Sequence, residues 1–134
     1  MAERDVLIVR NDFARLLEPH SRRERNSVRV NVGSSLHHEL GKFYMNWKLR
    51  KQEFETVTEC RFKKNSARGD VFELDDGTLY EIIYSESEER FLAKLNYYPS
   101  AVVLVAVKAE DLIREMFLEL ETEAKRIVEA KKHE

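Results

Sequence analysis

Cysteine is almost absent from this chain: Cys60 is the only one in 134 residues. An internal disulfide is thereby excluded, and a lone thiol fits a reducing, cytoplasmic setting. Long apolar runs are missing too. None approaches the roughly 18–20 residues needed to cross a bilayer, so no membrane partner is expected. The start, Met1-Ala2-Glu3-Arg4-Asp5, lacks the charged-then-apolar layout of a secretory signal, and an intracellular protein is expected. Proline occurs twice, at Pro19 and Pro99, and each reads as the stop of a preceding helix. Repeats and low-complexity segments are also lacking. With 43% hydrophobic residues, what remains is the composition of one ordinary globular domain.

Charge is abundant and unevenly spread. Residues 1–68 hold 15 Lys/Arg against 9 Asp/Glu, whereas residues 69–134 hold 8 against 16. The basic half contains Arg22-Arg23-Glu24-Arg25 with Arg29, Lys48 with Arg50-Lys51, and Arg61, Lys63-Lys64 and Arg68. Such clusters suit phosphate contacts with counterion release, or simply a solvated surface.

The pattern of residues predicts the following elements. Asp5–Arg10 reads as a short strand, followed by a turn of helix capped by Asn11 or Asp12 that ends before Pro19. His20–Asn26 reads as a polar, basic loop or arm, mobile unless something binds it. Val28, Val30 and Val32 alternate with Arg29 and Asn31 as a short edge strand or an extended entry does. Ser34-Ser35 then caps a helix running to about Lys51, with Leu36, Leu40, Phe43, Tyr44 and Trp47 as its apolar stripe. Residues 54–62 alternate as a strand, with Phe54, Thr56, Thr58, Cys60 and Phe62 on one face. Residues 69–74 and 78–85 form a hairpin around Asp75-Asp76-Gly77, a strong turn signal. Glu88–Asn96 reads as a helix with Phe91, Leu92 and Leu95 inward. The apolar run 101–107 reads as a strand buried on both faces and parallel to the previous one. A long amphipathic helix follows from Ala109 to about Lys131. The expected fold is α/β, a mixed four- to five-stranded sheet flanked by helices. Residues 1–33 form a strand and basic arm, and residues 34–134 form the core.

This arrangement sets Asp70 at the start of one strand and Glu81 in the strand beside it. Paired carboxylates are hard oxygen donors suited to Mg²⁺. The order αβββαβα over residues 34–130 carries Arg68-Gly69-Asp70-Val71, Tyr80-Glu81-Ile82-Ile83-Tyr84-Ser85 and a helical Glu39, and resembles the PD-(D/E)XK nuclease superfamily. The resemblance implies a restriction-endonuclease-like core that hydrolyses DNA phosphodiesters, with Mg²⁺ or Mn²⁺ held by Asp70, Glu81 and Glu39. Two positions depart from the family motif. Gly69 replaces its Pro, which only shapes a bend. Ile83 replaces its Lys, which orients the attacking water. Lys94 on the following helix is one substitute, and Ser85 or Glu86 is another. Arg22, Arg23, Arg25, Lys63, Lys64 and Arg68 are the expected contacts to DNA.

Other residues carry weaker signals. Glu59 in the first strand of the core is a further acid for the same cleft. His37 and His38 lie 100° apart on a helix, so they cannot share an ion, and they read as surface or packing residues. Cys60 reads as a small buried hydrophobe, and Tyr44 and Trp47 as core. Tyr97-Tyr98 fit either a helix–strand corner or a base-stacking surface. Besides the nuclease, two rivals stand: a non-catalytic nucleic-acid-binding module on the same fold, and a domain that homodimerises through its last helix.

Overall fold

A computed structural model describes residues 3–84 and 88–133. Its helices are α1 (Glu3–Ala14), α2 (Pro19–Arg22), α3 (Leu36–Lys51), α4 (Glu88–Ala93) and α5 (Ala109–Lys132). Its strands are β1 (Thr56–Arg61), β2 (Arg68–Glu73), β3 (Thr78–Ile83) and β4 (Val103–Lys108). The sheet is mixed, with strand order β1-β2-β3-β4: the first two pairings are antiparallel and β3–β4 is parallel. One core cluster joins Ala14, Leu17, Val57, Phe62, Phe72 and Leu79. The other joins Tyr44, Met45, Leu49, Val71, Ile82 and Leu112.

The hairpin and the parallel crossover are as expected from the sequence. Gly77 sits in the turn with φ 77°, a value glycine adopts without a Cβ penalty. There a Cβ would come within 2.2 Å of Phe13.

The N-terminal segment differs from expectation. Residues 5–10 are helical, not a strand. Val6, Val9, Arg10, Phe13, Ala14 and Leu17 all turn at least partly inward, and their i, i+3, i+4, i+7, i+8, i+11 spacing is that of one helix face. The aliphatic run Val6–Val9, three of its four residues β-branched, imitates a strand only over a window too short to reveal this period. Residues 18–26 are bound in place, and they begin with the helical turn α2 rather than being loop throughout. They lie along the outer edge of β1: Glu18 N–H donates to Arg61 O (2.8 Å), Ser21 Oγ accepts from Arg61 N–H (2.9 Å), and Asn26 N–H donates to Thr56 O (2.7 Å). They thereby cover backbone groups that an open edge would expose. Val28, Val30 and Val32 form no strand and stand in solvent.

Four further expectations are corrected. The face that α3 turns to the sheet is His38, Gly41, Lys42, Met45, Asn46 and Leu49, while Leu36 and Phe43 are exposed. β1 does not keep one face throughout: Val57, Cys60 and Phe62 all enter the same core cluster. That requires the faces to exchange at Glu59, whose φ is 47°. Leu92 and Leu95 are largely exposed, because the helix stops at Ala93 and a tight turn over Leu95–Tyr97 follows. β4 is an outer strand, with Val103 57% exposed, so it is not buried on both sides.

Candidate functional site

The site arises where β2 leaves β3. Their ladder runs Glu73–Thr78, Phe72–Leu79 and Val71–Tyr80, and beyond it a side chain takes over. Asp70 Oδ2 accepts the Ile82 N–H at 2.7 Å, which supplies the acceptor that this backbone donor needs. Gly69 permits the departure, since a Cβ there would lie 2.4 Å from Leu79 Cδ1. The two strands therefore fork at Asp70, and Glu81 faces it across the fork.

The carboxyls of Asp70 and Glu81 are joined by a hydrogen bond. Glu81 is 8% exposed. Burial, then the adjacent charge of Asp70, pushes its carboxyl up to about 9. Burial works against ionisation of Asp70 as well, but the His38 ring, the Glu81 carboxyl and the Ile82 N–H together hold it below the usual carboxylate range. The pair thus shares one proton, carried by Glu81.

Tyr98 completes the inner side. Its hydroxyl lies 2.7 Å from Glu81 Oε1 and 2.7 Å from Arg68 O. With a single hydrogen to give, it serves two acceptors while Glu81 donates toward Asp70. Of the two readings for this tyrosine the corner holds, because Tyr98 is buried against Phe62. Tyr97 is exposed on the rim.

On the outer side His38 Nε2 stands 3.2 Å from Asp70 Oδ2, and its Nδ1 stands 3.0 Å from Glu39 Oε2. Contact with Asp70, reinforced by Glu39, raises this imidazole to about 9, so it is an imidazolium at neutral pH. Glu39 does not meet the acid pair directly. One oxygen accepts from Lys42 Nζ (2.7 Å) and from the Asn31 N–H, and the other accepts from His38. Lys42 is 1% exposed and spans Glu39 and Glu59, with Nζ 3.1 Å from Glu59. A continuous chain of ionisable groups therefore runs Glu59, Lys42, Glu39, His38, Asp70, Glu81.

Asp70 and Glu81 open into a cleft of about 740 Å³ that Arg68, Lys94, Tyr84 and Tyr97 also line. Lys94 is near enough for its charge to counter the rise at Glu81. A second cleft of about 610 Å³ adjoins it past Asp70, with Arg29, Arg61, Arg68 and His20 on its walls. The expected contacts Arg22, Arg23, Arg25, Lys63 and Lys64 line neither cleft. Arg25 is bound to Glu55 and Asn11, and Lys64 Nζ donates to Tyr98 O (3.0 Å). Arg68 alone of those six reaches both clefts.

No family model, curated protein or solved structure matches this chain. The site therefore rests on its own chemistry. Among the described residues, no three His, Cys, Asp or Glu side chains are grouped to hold a metal ion. Asp70 and Glu81 remain as a two-carboxylate oxygen set. Such a set fits Mg²⁺, which keeps several waters and is held by one or two carboxylates together with substrate phosphates. Ser85 and Glu86, the other expected helpers, lie outside the described residues.

Lys42 has no role in the sequence reading, His38 belongs to the site rather than to the surface or packing role expected of it, and Tyr98 holds the expected corner but also meets the acid pair. A signal was present for the first two. His38 and Lys42 share with Met45 and Leu49 a face at i, i+4, i+7, i+11, but polar side chains hid it. Tyr98 had no comparable signal, because its partner lies 17 residues away in sequence.

Proposed function

We propose that this protein is a metal-dependent nuclease that hydrolyses DNA phosphodiester bonds on a PD-(D/E)XK-like core, with Mg²⁺ or Mn²⁺ as cofactor. One observation carries the reading: two carboxyls from adjacent strands meet at an open fork, within a cleft that also presents Arg68 and Lys94. Crowding a buried acid against a partly buried one is costly for a fold, and a divalent cation is the partner that turns this cost into binding.

Asp70 and Glu81 would hold the ion. When bound, it supplies charge to the scissile phosphate and makes a bound water acidic. The proton on Glu81 must leave before that carboxyl can serve. Asp70 is already aimed, fixed by the Ile82 N–H and by His38. Lys94 offers the cationic group that Ile83 cannot, and Arg68, with Arg29 and Arg61 in the adjoining cleft, engages neighbouring phosphates.

A second reading keeps the fold and nucleic-acid binding without cleavage, and Ile83 at the motif Lys position favours it. Supercoiled plasmid incubated with Mn²⁺ separates the two. The nuclease reading expects nicking that Asp70→Ala lowers by more than about 100-fold, beyond the usual loss for groups that merely support a metal ligand. Salt-sensitive plasmid binding with no nicking, restored by Ile83→Lys, would instead establish the binding module.

A further inference from the structure

The last helix carries an apolar face that the body of the protein does not use. α5 docks on α3 through Leu112 and Met116, and ion pairs Lys48–Glu115 (2.8 Å) and Lys51–Glu119 (3.9 Å) flank that contact. From Leu120 to His133 every residue is exposed, a length of about 20 Å at 1.5 Å per residue. Phe117, Leu120, Ile127 and Val128 are each more than half exposed.

These side chains are not scattered. Ile113, Phe117, Leu120, Ala124, Ile127 and Lys131 recur at alternating steps of four and three, the spacing of a two-helix seam. At about 100° per residue they fall on a single stripe, roughly a quarter-turn from the Leu112–Met116 face. Monomeric proteins seldom leave such a stripe to water.

Charge selects the occupant. Glu119, Glu121 and Glu123 precede the seam's midpoint at Ala124, and Lys125, Arg126, Lys131 and Lys132 follow it, with Glu129 the one acid among them. Two parallel copies would set acid against acid and base against base. Two antiparallel copies crossing at Ala124 would instead bring Glu121 toward Lys125 of the other copy on one flank and Glu123 toward Arg126 on the other, with Leu120 beside Ile127 and Val128. The small side chain of Ala124 lets the helices approach at the crossing. The pairs within one helix, Glu121–Lys125 (3.2 Å) and Glu129–Lys132 (3.5 Å), are exposed. Such pairs are weak and do not compete strongly with partners across a seam.

We infer that α5 pairs antiparallel with α5 of a second copy of this chain, along the seam from Phe117 to Lys131. This pairing is independent of the nuclease reading.

Sedimentation velocity on the full chain at micromolar concentrations tests it. A concentration-dependent dimer is expected, and Ala124→Glu, a helix-compatible change on an exposed position, should give a monomer with unchanged helicity whose melting, unlike that of wild type, does not depend on concentration. Orientation is read by oxidative cross-linking, with Cys60 silent because it is buried. Ala124→Cys should cross-link to itself. Phe117→Cys and Lys131→Cys should cross-link when mixed but not alone. A wild-type monomer at every concentration would overturn the proposal and leave the face to another partner. So would a dimer that survives Ala124→Glu, or self-cross-linking of Phe117→Cys as efficient as that of Ala124→Cys.

Discussion

The two ends of the β2–β3 hairpin treat charge in opposite ways. At the turn end, opposite charges are matched around a regular ladder. Arg10 grips both oxygens of Asp75 (3.0 and 2.8 Å), and Asp75 also accepts the Glu55 N–H (2.9 Å) while Glu55 pairs with Arg25 (3.2 Å). At the fork end the ladder stops, and two acids are pressed together with one proton between them. The first arrangement fixes the register of the hairpin and ties α1 to it. The second stabilises nothing by itself, and like charges placed in a cleft commonly mark a working site.

Substitution with glutamine should show the contrast most strongly. Glu81→Gln is expected to lower metal-dependent cleavage by more than about 100-fold, since an amide cannot become an anionic ligand. The same change should stabilise the fold. Glu81 is raised to about 9 in the native state, so near neutral pH only the unfolded chain gains from ionising it. Removing that gain contributes on the order of 1–3 kcal/mol, readable as a higher urea midpoint. A variant that is both inactive and less stable would mean that Glu81 is structural.

The turn end predicts the reverse. Asp75→Ala strips Arg10 of two charge-assisted hydrogen bonds and the Glu55 N–H of its acceptor, at a cost of about 2–3 kcal/mol. Cleavage per folded molecule should not change. Equal losses of activity and stability would show that the two ends are coupled rather than separate.

The same division explains what could be read from the sequence. The turn end is legible because its signal is local: Asp-Gly in a turn between two short strand-forming runs. The pair Asp70 and Glu81 followed from that hairpin. The surroundings of the pair were not legible. The site-facing half of α3 presents His38, Gly41 and Lys42, so hydrophobicity pointed instead to Leu36 and Phe43, which lie in solvent. The exchange of faces at Glu59 hinges on one left-handed residue, and strict alternation carries no sign of it. α1 was misread because four β-branched or aliphatic residues in a row satisfy a strand locally, whereas the stripe that ends at Leu17 needs a window of twelve.

A smaller test bears on an exception within the turn end. Glu73 is 1% exposed, and its Oε1 accepts the Asp76 N–H at 3.1 Å. Burial, followed by the neighbouring Asp76 carboxyl, raises it to about 8. Because the folded pKa exceeds the unfolded one, the native state holds the extra proton between about pH 4.5 and 8. Stability should therefore fall as pH rises through that window. Glu73→Gln, which keeps the shape of the protonated acid, should remove this part of the slope. Near pH 4.5 variant and wild type should melt alike, and near pH 8 the variant should be more stable by on the order of 1–4 kcal/mol. An offset that stays constant across the range would mean that Glu73 is ionised in the fold. The matched charges of the turn end would then extend to every acid in it.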